Sequence, residues 1–298
     1  MIFQGNLITN RLVIGTAQFG FKYGVANESG KLCQFEGESI LSCAYQSGTD
    51  FLDTAIGYGD CEATLGRIGV GQFKVISKLP PVPDGVINVP AWLDKQVAGS
   101  LSRLRLNSLY GLLLHCSESL MGDTGQQVAD ALRGVKSRGL VKKIGVSIYD
   151  PCELDYVTHA LVVDLVQAPL NLVDRRLEAS GWLSRLKEMG VEVHTRSVFL
   201  QGLLLMPREK IPARFGRWAH LLDAWAYRLK ELGVSPVGAC LGYPLSLPEV
   251  DRVVVGFDSL SQLTELLHEV KKKPKTENWD FMTMDDEKLI NPSRWSEL

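Results

Sequence analysis

The chain has 298 residues, 45% of them hydrophobic, with 32 Lys and Arg against 34 Asp and Glu. A formal charge of −2 offers no broad positive field for nucleic acid or for a membrane surface. Its apolar runs are too short to span a bilayer, and the cysteines, Cys33, Cys43, Cys61, Cys116, Cys152 and Cys240, lie scattered without a CxxC pair. That spacing indicates neither a zinc cage nor a disulfide framework and predicts reduced thiols in a cytoplasmic protein.

The opening "MIFQGNLITNRLVIG" lacks a basic region ahead of a long apolar run, so no signal peptide is expected. Residues 1–9 are predicted to form a small hairpin plugging a barrel bottom. Short apolar, β-branched runs then recur at wide intervals: "RLVIGT" (11–16), "TDFLDT" (49–54), "FKVISK" (73–78), "LYGLLLH" (109–115), "KKIGVS" (142–147), "VDLVQA" (163–168), "VEVHTR" (191–196) and "RVVVGF" (252–257). Their near-continuous apolar character predicts strands covered on both faces, as in a parallel sheet.

Segments with helical periodicity lie between them. "ESILSCAYQSG" spaces Ile40, Leu41 and Ala44 on one face and stops at Gly48. "AWLDKQVAGSLSRLRL" repeats the pattern with Trp92, Val97, Leu101 and Leu104. "VADALRGVKSRG" ends at Gly139 and "WLSRLKEMG" at Gly190, each a residue suited to the left-handed position that closes a helix. "LSQLTELLHEVKK" follows the eighth strand. Residues 206–220 read as an extended loop, and the polar, aromatic-studded tail "KPKTENWDFMTMDDEKLINPSRWSEL" as an arm packed over the barrel. Strand and helix alternating eight times predict an α/β chain forming one (β/α)8 TIM barrel domain over residues 1–298. The rival, a doubly wound open sheet, would show GxGxxG after its first strand, and "GTAQFGFKYG" does not fit.

In a barrel the C-terminal ends of the strands face the active site. Here they deliver Asp53, with Tyr58 on the loop beyond, then Lys78, His115, Ser147, Gln167, and Arg196 with Ser197. Singly, each has a plain explanation: an Asp after a strand is usually a cap, a loop Tyr usually packs, and a His after "LLL" is usually a bonded core residue. Three polar residues ending three successive strands, with a tyrosine just past the first, shift the balance toward chemistry.

"DTAIGYGDCEATLG", "VISK" and "LLLH", extended by "IGVS", "VQAPLN" and "VVVGFDSLSQLTEL", together resemble the aldo-keto reductase superfamily over nearly the whole chain. The resemblance implies reduction of an aldehyde or ketone with NADPH, and a catalytic tetrad of Asp53, Tyr58, Lys78 and His115. Those roles make chemical sense. Hydride addition develops negative charge on the carbonyl oxygen, so a proton donor must stand about 2.6–3.2 Å away. A phenol titrates near pH 10, and a neighbouring ammonium is expected to lower that value. Lys78 would supply the charge, Asp53 would anchor Lys78, Tyr58 would donate the proton, and His115 would hydrogen-bond the same oxygen.

For the cofactor, the resemblance implies that Ser147 and Gln167 hold the carboxamide and that Thr16 lines the reactive end. Ile148 stands where an Asn is usual, so one amide partner is missing or comes from elsewhere. Aligning "RSVFLQGLL" places Arg196 where a Tyr commonly stacks on the nicotinamide. A planar guanidinium can also stack, and would favour release of the oxidised, positively charged ring. Ser197, Phe199 and Gln201 on the same segment complete the expected cofactor contacts there. Gly256, Asp258, Gln262 and Glu265 match positions around the adenosine. The basic residues that grip a 2′-phosphate in many members are absent, and Asp258 would repel that group or accept from a free 2′-OH. NADP(H) is expected from the resemblance, with NAD(H) as the alternative. The expected partner is a small carbonyl substrate, sugar-like by analogy, bound near Phe19, Phe21, Tyr23, Trp92, Phe199 and tail aromatics by a monomer or weak oligomer. No metal is expected.

Two other functions fit less well. A low-turnover regulatory scaffold, as potassium-channel β subunits resemble, would not need all four tetrad residues. A Schiff-base aldolase would need Lys78 unpaired, which Asp53 opposes.

Overall fold

The computed structural model describes residues 9–272 and 277–298. The expected hairpin over residues 1–9 lies outside the described residues except for Thr9, which opens a 3-10 turn, Thr9–Arg11. The strands are β1 (Leu12–Gly15), β2 (Phe51–Asp53), β3 (Lys74–Leu79), β4 (Leu109–Leu114), β5 (Val141–Ser147), β6 (Leu165–Pro169), β7 (Glu192–Arg196) and β8 (Arg252–Val255). All pair in parallel in sequence order, and β8 pairs β1 to close the barrel. The helices are α1 (Gln34–Gln46), α2 (Cys61–Ile68), α3 (Val89–Leu104), α4 (Gly122–Ser137), α5 (Glu153–Ala160), α6 (Arg176–Ala179), α7 (Trp182–Glu188), α8 (Ala219–Leu232), α9 (Pro236–Ser246), α10 (Leu260–Lys271) and α11 (Glu287–Ile290).

Strand side chains alternate between two faces, and this alternation builds the site. Val13, Phe51, Ile76, Leu113 and Leu165 form a small cluster inside the barrel. Their neighbours Leu12, Leu52, Val75, Leu112 and Val166 belong to the larger core between barrel and helices. Counting two residues on from Phe51, Ile76, Leu113 and Leu165 reaches Asp53, Lys78, His115 and Gln167. An apolar interior layer is thus capped by a polar one at the C-terminal mouth. A one-residue shift in any strand would send its functional side chain into the helix layer.

The glycines expected past three helices, Gly48, Gly139 and Gly190, all take positive φ. Helix α3 ends instead on Arg105 in the left-handed region, φ 56°. Residues 206–220 are not a plain loop. They hold 3-10 turns at Arg208–Lys210 and Ala213–Trp218, and α8 begins at Ala219. Helix α9 carries Pro244 in its interior, which disguises it in the sequence. Ser235 caps its start by accepting from the Gly238 amide at 3.0 Å.

The described part of the tail does pack as an arm. The Met284 amide donates to Val173 O at 2.9 Å, and Trp295 meets Phe215 with ring centroids 4.8 Å apart. Trp279 meets Trp225 at 5.0 Å. The arm therefore clamps the segments that follow β6 and β7.

Candidate active site

Lys78 lies inside the barrel mouth, 1% exposed, and donates to Asp53 Oδ2 at 2.6 Å and to Thr54 O at 3.0 Å. Burial pulls the Lys78 pKa down, and Asp53 opposes that shift. Gln167 Nε2 donates to the other Asp53 oxygen at 2.7 Å. Asp53 thus joins β2, β3 and β6 across the barrel. Lys78 with two protein partners is not the free amine that Schiff-base chemistry needs.

Lys78 Nζ lies 5.4 Å from the centroid of the Tyr58 ring. His115 also meets Tyr58, with ring centroids 5.8 Å apart and planes at 72°. These four residues come together at the barrel mouth. The Tyr58 pKa, however, moves opposite to expectation: it is pushed well above the usual phenol value, first by burial and then by Asp53. The Asp53 carboxylate neutralises Lys78, so little net positive charge is left to stabilise a phenolate. Tyr58 is therefore a protonated phenol at neutral pH. His115 is pulled down to about 4, by burial first and then by Lys78. A neutral imidazole carries one N–H and one acceptor nitrogen, so His115 can donate without being charged.

A groove of about 400 Å³ runs from Asp53 and Tyr58 to Asp258 and Gln262. Thr16, Gln167, Arg196, Ser197, Phe199, Gln201 and Gly256 line it. Thr16 Oγ1 donates to Asp53 O at 2.8 Å, tying the β1 turn to the tetrad. Two expected contacts fall outside the lining: Ser147 is buried, 3% exposed, and Glu265 is exposed on α10. A helix turn carries Glu265 past the groove while Gln262 stays at its edge. Gln167 has also given an N–H to Asp53, leaving chiefly its oxygen for a carboxamide.

Arg196 is held flat. Its Nη2 donates to Ile148 O at 2.8 Å, Nη1 to Ser197 Oγ at 3.2 Å, and its guanidinium lies 4.5 Å from the Tyr149 ring centroid. Among the described residues no carboxylate pairs with it. Ile148 thus supplies a carbonyl anchor for a guanidinium rather than the usual amide side chain. Tyr149 is a residue sequence reasoning passed over, because only folding brings it to Arg196.

The next segment is strained. Ser197, Leu200 and Gln201 take φ of 62°, 49° and 52°, a region L-residues seldom occupy. Asn171 Nδ2 donates to Ser197 O at 3.0 Å, and the Val25 amide donates to Gln201 O at 3.0 Å. The loop after β1 therefore crosses the groove onto the loop after β7. Asn27 fastens it further on, donating to Asp258 Oδ1 at 2.7 Å. Asn27 was also missed; nothing in its neighbourhood of the sequence signals a partner so distant.

Among the suggested aromatics, Phe21 meets both Tyr58 and Tyr23, at 5.9 and 6.0 Å. Phe19 is buried in the core, and Trp92 packs against that core from α3. The tail aromatics pack on α8 and the turns before it rather than lining the groove. All six cysteines are free. Among the described residues no group of His, Cys, Asp or Glu is placed to hold a metal, and no helix is long and apolar enough to cross a membrane.

The parts suit a dinucleotide. The groove is elongated, strained backbone turns toward it, and two cations without ion pairs among the described residues, Arg196 and Lys210, line it. The tyrosine, with its buried ion pair, stands at one end. Barrel and site together define an oxidoreductase. The chain belongs to the aldo/keto reductase family, whose family model matches residues 11–283. It is similar to the oxidoreductase sirO of Leptosphaeria maculans, 25% identical over 92% of this chain and 95% of that one. It is also similar to L-galactose dehydrogenase of Arabidopsis thaliana, 27% identical over 79% of this chain and 78% of the relative. In fold it matches the holo form of an aldo-keto reductase from Bacillus halodurans, with a TM-score of 0.73, 19% identity, and 91% and 90% of the two chains covered.

Proposed function

We propose that this protein interconverts a small carbonyl compound and its alcohol with a nicotinamide dinucleotide, using Tyr58 as the proton donor. The observation that carries this reading is the buried Lys78–Asp53 pair, 2.6 Å apart, beside a tyrosine that also faces a neutral histidine. When bound, the nicotinamide supplies or accepts the hydride. Every other step belongs to the chain. Thr16, Gln167 and Arg196 orient the reactive end of the groove. The Tyr58 phenol gives its proton to the carbonyl oxygen in reduction and takes it back in oxidation. The raised pKa suits the first direction, because the phenol stays loaded at neutral pH. As negative charge grows on oxygen, a His115 N–H donor stabilises it. Lys78, held by Asp53 and Thr54 O, fixes the wall against which the Tyr58 ring lies.

The substrate we assign is a small hydroxylated carbonyl of sugar type, handled by a monomer or weak oligomer. The named sugar dehydrogenase among the relatives and the half-exposed Phe21, Tyr23 and Tyr149 at the mouth support that class, since ring faces suit the apolar face of a sugar.

The test is steady-state turnover with aldoses, ketoses and simple aldehydes, on wild type and Tyr58→Phe. We expect Tyr58→Phe to lower kcat by roughly 10²–10⁴-fold while dinucleotide affinity holds. Binding without turnover of any carbonyl would favour a regulatory scaffold instead.

A further inference from the structure

The end of the groove at Asp258 and Gln262 carries its own acid. It is built from the loop after β8, the start of α10 and the loop after β1. In (β/α)8 barrels the loops after the last two strands, with a nearby helix N-terminus, commonly seat a phosphate. In this chain three backbone donors of that seat, the Asp258, Leu260 and Gln262 amides, are already taken. Glu36, from α1, accepts from the Leu260 amide, the first residue of α10, at 2.7 Å. Ser259 Oγ accepts from the Gln262 amide at 3.2 Å, and Gln262 Oε1 accepts from the Asp258 amide at 2.8 Å.

Asp258 lines the groove itself, held on one oxygen by Asn27. Glu28 lines it as well. Burial raises the Asp258 pKa, ahead of the opposing bonds from Asn27 and Gln18, so its charge would gain from a further donor. Arg196 and Lys210 are the cations of the lining, both from β7 and the segment after it. Neither is paired with Glu28, Glu36 or Asp258.

Resting on the dinucleotide reading above, we propose that this site selects NAD(H) over NADP(H). Asp258 accepts from the free 2′-hydroxyl of the adenosine ribose, and Glu36 closes the start of α10 to a 2′-phosphate. A hydroxyl adds a further neutral donor to Asp258. A phosphomonoester brings up to two negative charges to a place with two carboxylates and no spare backbone donors at Asp258, Leu260 or Gln262. Each such repulsion, in a partly wet groove, corresponds to roughly a tenfold loss of affinity.

The experiment is a fluorescence titration of the full chain with NADH and with NADPH at low salt, on wild type, Asp258→Asn, Glu36→Gln and Lys210→Ala. We expect wild type to bind NADH at least roughly tenfold more tightly. Asp258→Asn and Glu36→Gln should each narrow the ratio by strengthening NADPH. Both substitutions keep an acceptor oxygen, so the loop contact with Asn27 and the cap on Leu260 survive, and a merely structural role would leave the ratio unchanged. The proposal is overturned if wild type binds NADPH as well as NADH, most directly if Lys210→Ala then removes that affinity. It is also overturned if neither carboxylate variant moves the ratio. Failure of both nucleotides to bind would instead overturn the function proposed above, and this inference with it.

Discussion

Asp53 and Lys78 form a buried ion pair, and such pairs are costly to break because each partner strands the other in a poor solvent. Lys78→Met should therefore destabilise the fold by about 3–5 kcal/mol, since Asp53 would keep only the Gln167 amide and its neighbours. Asp53→Asn combined with Lys78→Met removes both charges and should recover most of that loss. Activity should recover in neither variant. Urea melts beside turnover assays separate the two effects, and a double variant as unstable as the single one would contradict this account. His115 makes a second prediction at this scale. Its pKa falls from 6.5 to about 4 on folding. Between those values the unfolded chain binds a proton that the folded chain refuses, so stability is complete above pH 6.5 and declines as the pH falls toward 4. The slope contributed is at most about 1.4 kcal/mol per pH unit. Melts at stepped pH should show a shallower acid limb in His115→Gln than in wild type; parallel limbs would mean that His115 is not the titrating group.

The elements around the groove depend on two close approaches of backbone. A Cβ at Gly20 would meet Tyr58 O at 2.0 Å, so the turn after β1 fixes the loop that carries Tyr58. Gly202 sits at φ 91°, and a Cβ there would stand 2.7 Å from the Ala26 Cβ. Gly202→Ala should push the loop after β1 away from the loop after β7, where Val25 and Gln201 are bonded. We expect dinucleotide affinity to fall at least severalfold, and stability by about 1 kcal/mol or more. Unchanged affinity in a stable variant would show that this crossing is not part of the binding surface. Much of this level is readable in the sequence. Eight apolar runs predicted eight strands, because a strand covered on both faces must be apolar nearly throughout. The loops are harder to read. Residues 206–220 conceal 3-10 turns and the start of α8, because Pro207, Pro212 and Gly216 look like breakers until the arm gives the segment something to pack on.

At the scale of the whole molecule, the C-terminal arm is a structural clamp. Trp295 is 3% exposed, stacks edge-on against Phe215 and donates to Leu289 O at 3.0 Å. Arg217 pairs with Asp286 at 3.0 Å and Arg175 with Asp280 at 2.7 Å. Trp295→Ala should lower the unfolding free energy by about 3–5 kcal/mol. A single unfolding transition shifted to lower urea is the expected result. Two separated transitions would show the arm to be a unit of its own.

The polar residues that end β2, β3, β4 and β6, their order along the chain and the inward side of each strand were legible in the sequence alone. The period of two needs only neighbouring residues, and one apolar position fixes the face of the next polar one. What surrounds those residues was decided by closure of the barrel. Gln167 reaches Asp53 over 114 residues, Asn27 reaches Asp258 over 231, and Glu36 reaches the Leu260 amide over 224. Arg196 settles against Ile148 and Tyr149 for the same reason. Local periodicity carries no record of such partners, because they meet only when distant strands are brought round into one barrel. The direction of the Tyr58 shift belongs with them: whether Lys78 or burial governs that phenol depends on how fully Asp53 cancels the lysine's charge, a matter of distances across three strands.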